Sequence, residues 1–419
     1  MAEVDAQSTT LDVLIVADSD SYVKWAVTRS LDMPSQWNKR VVVVRNAVTP
    51  SERQINAAVD GRLGTSRVDV VSFRQLADMI RQLRPDVLFL AARGPFIETL
   101  LDSTFKGRRV APVVVAGIPG IWLPPTRLAL RYRSSVDMFV VHSREERRLL
   151  QEMIPYGRLR TVGLASLVQV ANPPQPSERS RVVFAPQALV PRTAEGRERL
   201  FAALIDTAAA HPEVDVVIKL RALVEEQQTH REFAAFPEIA ESWPDPLPPN
   251  LIFGYGPLTD FFDGCIGFVT VSSTAVIEAI SAGIPSICLS DYGISRKQIN
   301  LAFEGAGLWG TLDDLRGLRF NEPSPQWMDD NYFHSEVDND WVDLVASLAS
   351  TSAVDVAEPV SDRRRPLRTR LVSRGQALGN EDSWPMHSLA TATNALKFVY
   401  SKGRSQIQAL KRSRLRQDY

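Results

Sequence analysis

Three consecutive hydroxyl residues, Ser272, Ser273 and Thr274, stand between an apolar run at 268–271 and a helix-type segment that ends near Gly283, ahead of Pro285. Hydroxyls suit a helix N-cap and first turn, where free backbone N–H groups and a partial positive charge attract anions. The triplet is therefore a candidate phosphate or diphosphate site, with simple capping as the competing reading. Glu278 lies four residues beyond Thr274, one turn on, placed to touch a ribose or the capping network, or else to form a solvated helix face. Lys219 and Arg221 end another apolar run, and residues two apart point to one side of a strand. A paired positive charge there would stabilise a departing diphosphate more in the transition state than in the ground state. The bland alternative is an ion pair with Glu225 or Glu226. Gln187 follows the apolar run at 182–185, and Arg192 shortly after it is a weaker phosphate candidate.

The first half offers proton-transfer groups. Asp18 and Asp20 follow the first apolar run, with Lys24 and Trp25 close behind. A carboxylate at the mouth of a strand suits a general base that takes a proton from a hydroxyl; a turn or N-cap is the alternative. The Asp-x-Asp spacing also fits a metal pair, a reading set aside because the motif opens the chain. His142, at another strand end, can act as acid or base near neutral pH, or be a packed, hydrogen-bonded group. Gly117 permits close approach of a ligand or a tight turn. Trp122 either stacks on a sugar ring or lids the core. The remaining histidines lack metal-ligand spacing and two cysteines cannot cage zinc, so neither metal nor cofactor is expected. A Walker loop and a Gly-x-Ser-x-Gly elbow are both absent.

These groups need a scaffold. Short Val/Ile/Leu-rich runs at 11–17, 41–45, 68–71, 87–91, 113–116, 138–141 and 160–162 alternate with helical segments at 21–31, 73–83, 97–104, 125–133 and 144–153. Near-continuous apolar runs imply strands covered on both faces, hence a doubly wound α/β unit with a parallel sheet. Pro-rich residues 172–180 interrupt the pattern, which resumes with strands at 182–185, 214–219, 251–253, 266–271 and 286–289 and a helix at 195–210. The expected organisation is a first doubly wound domain at 1–172, a second at 181–320, and a C-terminal segment with helices at 321–419, which the resemblance given below makes an acceptor-binding domain, a nucleotide-sugar-binding domain and a crossing segment respectively. Within the last, 354–380 is expected to be mostly irregular and 386–410 helical, ending in a basic tail at 411–416.

At 419 residues, 44% hydrophobic and 23% charged, with formal net charge -1, the chain reads as globular, and nothing global favours nucleic acid. Cys265 and Cys288 sit in or beside apolar runs, as buried reduced thiols do. The polar, acidic start is unlike a secretory signal, and no run approaches a membrane span, so a cytoplasmic location is expected.

Two doubly wound halves, a Pro-rich connector and returning C-terminal helices resemble the GT-B class of glycosyltransferases. Val183-Phe-Ala-Pro-Gln187, Val217-Ile-Lys-Leu-Arg221 and the Ser-Ser-Thr helix with Glu278, Gly283 and Pro285 resemble the nucleotide-sugar-binding half of capsule-type sialyltransferases and poly(glycerol phosphate) transferases. In those enzymes a His-Pro pair follows the Lys strand, whereas here Leu220, Arg221 and Ala222 follow Lys219, which puts the donor's base and sugar in doubt. Residues 11–310 also resemble an uncharacterised actinobacterial group of glycosyltransferase-type proteins. The resemblance implies two Rossmann-like domains facing a cleft, and metal-independent transfer of a sugar from a nucleotide-sugar to a hydroxyl of a carbohydrate or lipid-linked acceptor in cell-surface glycan synthesis. The basic tail at 411–416 is either a solvated helix end or a contact with anionic lipid that would bring the chain to the inner face of a membrane. The rivals are a nucleotide-sugar 2-epimerase on the same fold and a non-catalytic nucleotide-sugar-binding scaffold.

Overall fold

A computed structural model describes residues 10–59, 62, 68–106, 108–167, 173–220, 234–351 and 367–381. The first half runs β1 (Asp12–Ala17), α1 (Asp20–Asp32), β2 (Asn38–Val44), α2 (Glu52–Val59), β3 (Asp69–Val71), α3 (Phe73–Leu83), β4 (Val87–Ala91) and α4 (Gly94–Glu98). A π-helix (Thr99–Thr104) follows, then β5 (Val113–Gly117), α5 (Arg127–Tyr132), β6 (Met138–Val141), α6 (Arg144–Gln151) and β7 (Thr161–Leu164). The second half runs β8 (Ser180–Phe184), α7 (Ala194–Ala210), β9 (Val214–Lys219), α8 (Phe236–Glu241), β10 (Leu251–Gly254), β11 (Cys265–Thr270), α9 (Ala275–Ser281), β12 (Ser286–Leu289) and β13 (Trp309–Gly310). The chain then continues through α10 (Leu312–Arg316), α11 (Pro325–Asp330), α12 (Trp341–Thr351) and α13 (Leu367–Leu378).

Each half holds one parallel sheet, ordered β3-β2-β1-β4-β5-β6-β7 and β10-β9-β8-β11-β12-β13. Successive residues of a strand feed opposite cores, as a pleated strand requires. Leu14 and Val16 enter one cluster while Val13, Ile15 and Ala17 enter the other. In the second sheet Val182 and Phe184 oppose Val183 and Ala185 in the same way. This two-sheet architecture is of the GT-B type.

Helices α2, α10 and α11 have no counterpart in the sequence expectation, and four further features differ from it. The helix expected at 97–104 is split into α4 and a π-helix. β13 adds a sixth strand to the second sheet, paired to β12 through only two residues. Between β9 and β10, where the sequence expectation marks no helix, Phe236–Glu241 forms the short α8, whose Pro237 is tolerated in the first turn. Residues 367–378 form α13 where an irregular segment is expected: Ala377 and Leu378 are buried in the first half's core and Ser373 Oγ donates to the buried Glu98. Tertiary burial overrides the polar local sequence there. Arg221, the proposed helix at 386–410 and the basic tail at 411–416 lie outside the described residues.

The chain after β13 returns to the first half. Trp341 of α12 is buried under the first sheet, its Nε1 donating to Asp32 at 3.1 Å. A side chain at Gly163 of β7 would meet Trp341 Cβ at 2.6 Å, so glycine is what lets the tryptophan approach. Arg144 pairs with Asp329 and Asp338, at 2.5 and 2.7 Å, and Arg147 pairs with Asp340, riveting α6 to the returning strap.

Candidate functional site

In both sheets the strand order reverses direction beside the first strand, between β1 and β4 and between β8 and β11. In open parallel sheets ligands settle at the carboxyl ends of such switch points, because the connecting loops splay to opposite sides and leave a crevice. Asp18 to Asp20 follow β1 and Arg93 follows β4; Gln187 follows β8 and Ser272 to Thr274 follow β11. The sequence therefore places its candidates at the right edge, and their side-chain commitments decide which remain available.

Several are committed to the scaffold. Asp18 has no exposed surface; its carboxylate accepts from Arg93 Nε at 2.7 Å and from the Arg93 backbone N–H at 3.2 Å. Arg93 in turn donates to Asn46 Oδ1 and to the Gln376 and Ala377 carbonyls at the end of α13. Burial pushes the Asp18 carboxyl above its usual range while Arg93 pulls it down. A carboxylate sealed beneath its own arginine cannot meet an acceptor hydroxyl, which corrects the expectation of Asp18 as base.

His142 is corrected likewise. It is 1% exposed, its Nε2 accepts from Trp25 Nε1 at 2.8 Å, and its Nδ1 faces the Ala165 carbonyl at 2.8 Å. One ring nitrogen must accept and the other donate, so the neutral ring is required. Burial drives its pKa down to about 3. Trp25 itself packs on Phe89, with ring centroids 5.0 Å apart, and is not a cleft residue. Gly117 serves the same tryptophan: a Cβ there would stand 2.4 Å from Trp25 Cη2 and 2.8 Å from the Val140 carbonyl. Trp122 is buried and stacks on Phe139 at 4.8 Å, so it lids the core rather than a sugar.

In the second half Ser272 Oγ donates to Gln187 Oε1, and Gln187 Nε2 donates back to the Ser272 carbonyl at 2.6 Å. That reciprocal clasp ties β8 to β11 and occupies both side chains. Ser273 is buried; its Oγ accepts from the Ala275 N–H at 3.2 Å, and its own N–H donates to Thr270 Oγ1. Thr274, the N-cap of α9, makes no side-chain cap and is exposed. The triplet therefore splits into one clasp, one turn and one outward hydroxyl. Arg192 is exposed and donates to the Lys297 carbonyl at 3.3 Å.

What remains facing the interval between the halves is a small charged group. Glu278 is half-buried; burial raises its pKa, and the opposing pull comes from Lys219 of the second half and Lys24 of the first. Lys219 Nζ donates to the Leu220 carbonyl at 2.9 Å. Lys24 Nζ lies 2.9 Å from Asp20 Oδ2, while Asp20 Oδ1 and the neighbouring Ser19 Oγ are buried atoms with no hydrogen-bond partner. Gly120 (φ 144) closes the gap from the first half: a Cβ on it would come within 3.2 Å of Thr274 Cγ2. Thus Asp20, Lys24, Lys219, Thr274 and Glu278 form one neighbourhood, built from both switch points.

Sequence reasoning missed two supports. Arg93, at the end of β4, anchors the first switch point; its signal is a lone arginine between buried Ala92 and Gly94-Pro95. Glu146 is buried and accepts from the backbone N–H groups of Trp122 and His142 and from Tyr332 Oη of the returning strap, at 2.7, 2.9 and 2.9 Å. Burial pushes its pKa up to about 6. Its Ser143-x-x-Glu146 spacing is a capping-box signature, and Ser143 Oγ does accept from the Glu146 N–H at 2.9 Å.

No curated protein matches the sequence. Among solved structures the chain is similar to a "putative UDP-N-acetylglucosamine 2-epimerase from Listeria monocytogenes" at 12% identity and TM-score 0.51, covering 84% of this chain and 93% of that one. It is also similar to UDP-GlcNAc 2-epimerase from Neisseria meningitidis bound to UDP-GlcNAc, at 11% identity, TM-score 0.50, and 82% and 100% coverage. An S. aureus MnaA–UDP co-structure stands at 13% identity, TM-score 0.50, and 81% and 94% coverage. At such identities these likenesses speak for the fold alone. A family model described as "Putative glycosyltransferase (DUF6716)" matches residues 13–348, and the chain belongs to that family.

Proposed function

We propose that the protein transfers a sugar from a nucleotide-sugar held by the second half to a hydroxyl of an acceptor held by the first. The observation that carries this reading is the close approach of Gly120 of the first half to the exposed Thr274 of the second, at a place where Glu278 feels the charge of Lys24 from one half and Lys219 from the other. Two ammonium groups at the carboxyl edges of parallel sheets suit a diphosphate, and their charge is worth most as the phosphate departs. Thr274 supplies a hydroxyl contact and Glu278 an acceptor for sugar or ribose hydroxyls. Asp20, whose side chain is 28% exposed beside Lys24, takes the acceptor's proton. Ser272 and Gln187 act behind this layer by holding β8 to β11. Arg221 remains a further phosphate contact in the scheme. Family membership supports sugar transfer; cell-surface glycan synthesis on the cytoplasmic side of a membrane, with a carbohydrate or lipid-linked acceptor, is part of the proposal through the resemblance to capsule-type transferases alone.

The fold shared with UDP-N-acetylglucosamine 2-epimerases raises one competing chemistry, inversion at sugar C2 within the donor itself. Thermal melts of the full chain against UDP, GDP, CDP and CMP sugars, followed by product analysis with and without added glycan acceptors, test both readings. A donor at a hundred times its Kd raises stability by about 2.7 kcal/mol. Lys24→Ala and Lys219→Ala each remove most of that rise. Epimer formed without acceptor replaces transfer by epimerisation. Binding without turnover leaves a scaffold, and a donor response unaltered in both lysine variants removes the site.

A further inference from the structure

Beyond β12 the chain traverses residues 290–300 before a short 3₁₀ turn, Leu301–Phe303. Asn300, with no exposed surface, clasps this loop: its Nδ2 donates to the Gly293 carbonyl and its Oδ1 accepts from the Ser295 N–H, each at 3.0 Å. With its ends held, the loop presents its middle to solvent. Ile294 and Ile299 are 42% and 45% exposed, and Arg296 and Lys297 are exposed between them. Ile299 has φ 61, a left-handed conformation that β-branched residues rarely adopt. The loop after β8 lies alongside, joined by the Arg192–Lys297 bond, and carries Leu189 at 42% exposure.

Three aliphatic and three cationic side chains are thus presented by two adjoining loops that contain no Asp or Glu over 185–194 and 292–303, although the exposed Glu195 and Glu304 follow directly and Arg296 shares a cavity with Glu145, Glu304 and Asp330. The flanking Asp291 is already held by Arg199 at 3.1 Å and by the Leu312 N–H at 2.9 Å. Aliphatics beside exposed cations complement a surface that is anionic outside and apolar just beneath. Among the described residues no helix is long and apolar enough to cross a membrane, so such contact would be peripheral.

We propose that loops 187–192 and 290–300 form a docking face for an anionic lipid bilayer, Ile294, Ile299 and Leu189 entering the headgroup–acyl boundary and Arg192, Arg296 and Lys297 meeting lipid phosphates. Both loops leave the carboxyl edge of the second sheet, so the docked bilayer lies on the side of the molecule where the cleft opens. The face does not depend on sugar transfer, and its test uses no donor or acceptor.

The full chain is sedimented with vesicles of phosphatidylcholine alone and of phosphatidylcholine mixed with phosphatidylglycerol. Binding is expected only to the anionic vesicles and to weaken with salt. Arg296→Glu with Lys297→Glu lowers the partition constant roughly tenfold or more, as reversal of two surface charges should, and Ile294→Ser with Ile299→Ser lowers it as well. All four positions are exposed, so melting temperatures stay at the wild-type value. The basic residues 411–416 are intact in both variants; wild-type binding by both would move the contact there and overturn the face. Absence of binding by the unaltered chain, equal binding to neutral vesicles, or displacement by free UDP, which would make the loop part of a nucleotide site, each overturns it too.

Discussion

Acidification should unfold this protein partly through one histidine. His142 is buried, accepts from Trp25 Nε1 and faces the Ala165 carbonyl through Nδ1, so protonation would set an N–H against an N–H with no water to replace the lost bond. Its pKa falls from the ordinary 6.5 to about 3. The folded state keeps the ring neutral while the unfolded chain takes a proton below about 6.5, so this contribution to stability is whole above that pH and is lost as pH falls toward 3. At about 1.36 kcal/mol per pH unit, His142 removes roughly 2 kcal/mol between pH 7 and 5 and between 4 and 5 kcal/mol by pH 3. Glu146 acts in the opposite sense. Burial raises it from 4.5 to about 6, so ionising it in the fold is costly and stability recovers by up to about 2 kcal/mol as pH falls through that window. Other buried carboxyls are raised as well, Asp18 and Glu278 among them, and blur the total curve. The difference between wild type and His142→Gln isolates the histidine. Urea unfolding at pH 7, 6 and 5 is expected to show the variant weaker by about 1–3 kcal/mol at pH 7, from its imperfect hydrogen bonds. The deficit should shrink by roughly 2 kcal/mol at pH 5. A difference that stays constant with pH, or an NMR titration of the folded protein in which the His142 ring protonates near 6.5, refutes the argument and restores His142 as a candidate acid or base.

Asp18→Asn should cost about 3–5 kcal/mol in urea unfolding, because it leaves the Arg93 guanidinium facing a neutral amide in a closed site. Asp20→Asn should change stability by less than about 1 kcal/mol, its Lys24 partner being 58% exposed, and should lower sugar transfer about a hundredfold or more; the reverse pattern would make Asp18 the base. Gly117→Ala should cost about 1–3 kcal/mol and shift the near-UV signal of Trp25, since the added methyl enters that ring. Unchanged stability would show that Trp25 has room to retreat.

The strands were legible because buried parallel strands are written as continuous apolar runs, and every run marked in either half became one. β13 was not, since two residues carry no period. α13 was not, because its helix is fixed by docking of Ala377 and Leu378 rather than by a local apolar stripe. At the site, sequence placed residues at the right strand ends and left their direction open. Asp18 is bound by a residue 75 positions away, Trp25 by one 117 away, and Ser272 by one 85 away. Direction is a property of such distant pairs. No local pattern contains it, so a hydroxyl or carboxylate at a strand end reads the same whether it closes the scaffold or faces a ligand.

Those scaffold pairs explain how the cleft keeps its geometry. Gly120 can meet Thr274 only if the loop after β5 holds its course, and that loop is fixed two residues later where the Trp122 N–H donates to Glu146. The same carboxylate takes the Tyr332 hydroxyl from the strap that leaves the second half, and α6 carries the arginines that grip that strap. One buried acid therefore sets the first half's loop and the second half's exit against each other. An amide in its place would turn its NH2 toward the backbone N–H of Trp122 or His142, so glutamine is not an equivalent there. The role of Glu146 is positional: it acts on the spacing between Lys24 and Lys219 through the halves that bear them, and touches neither.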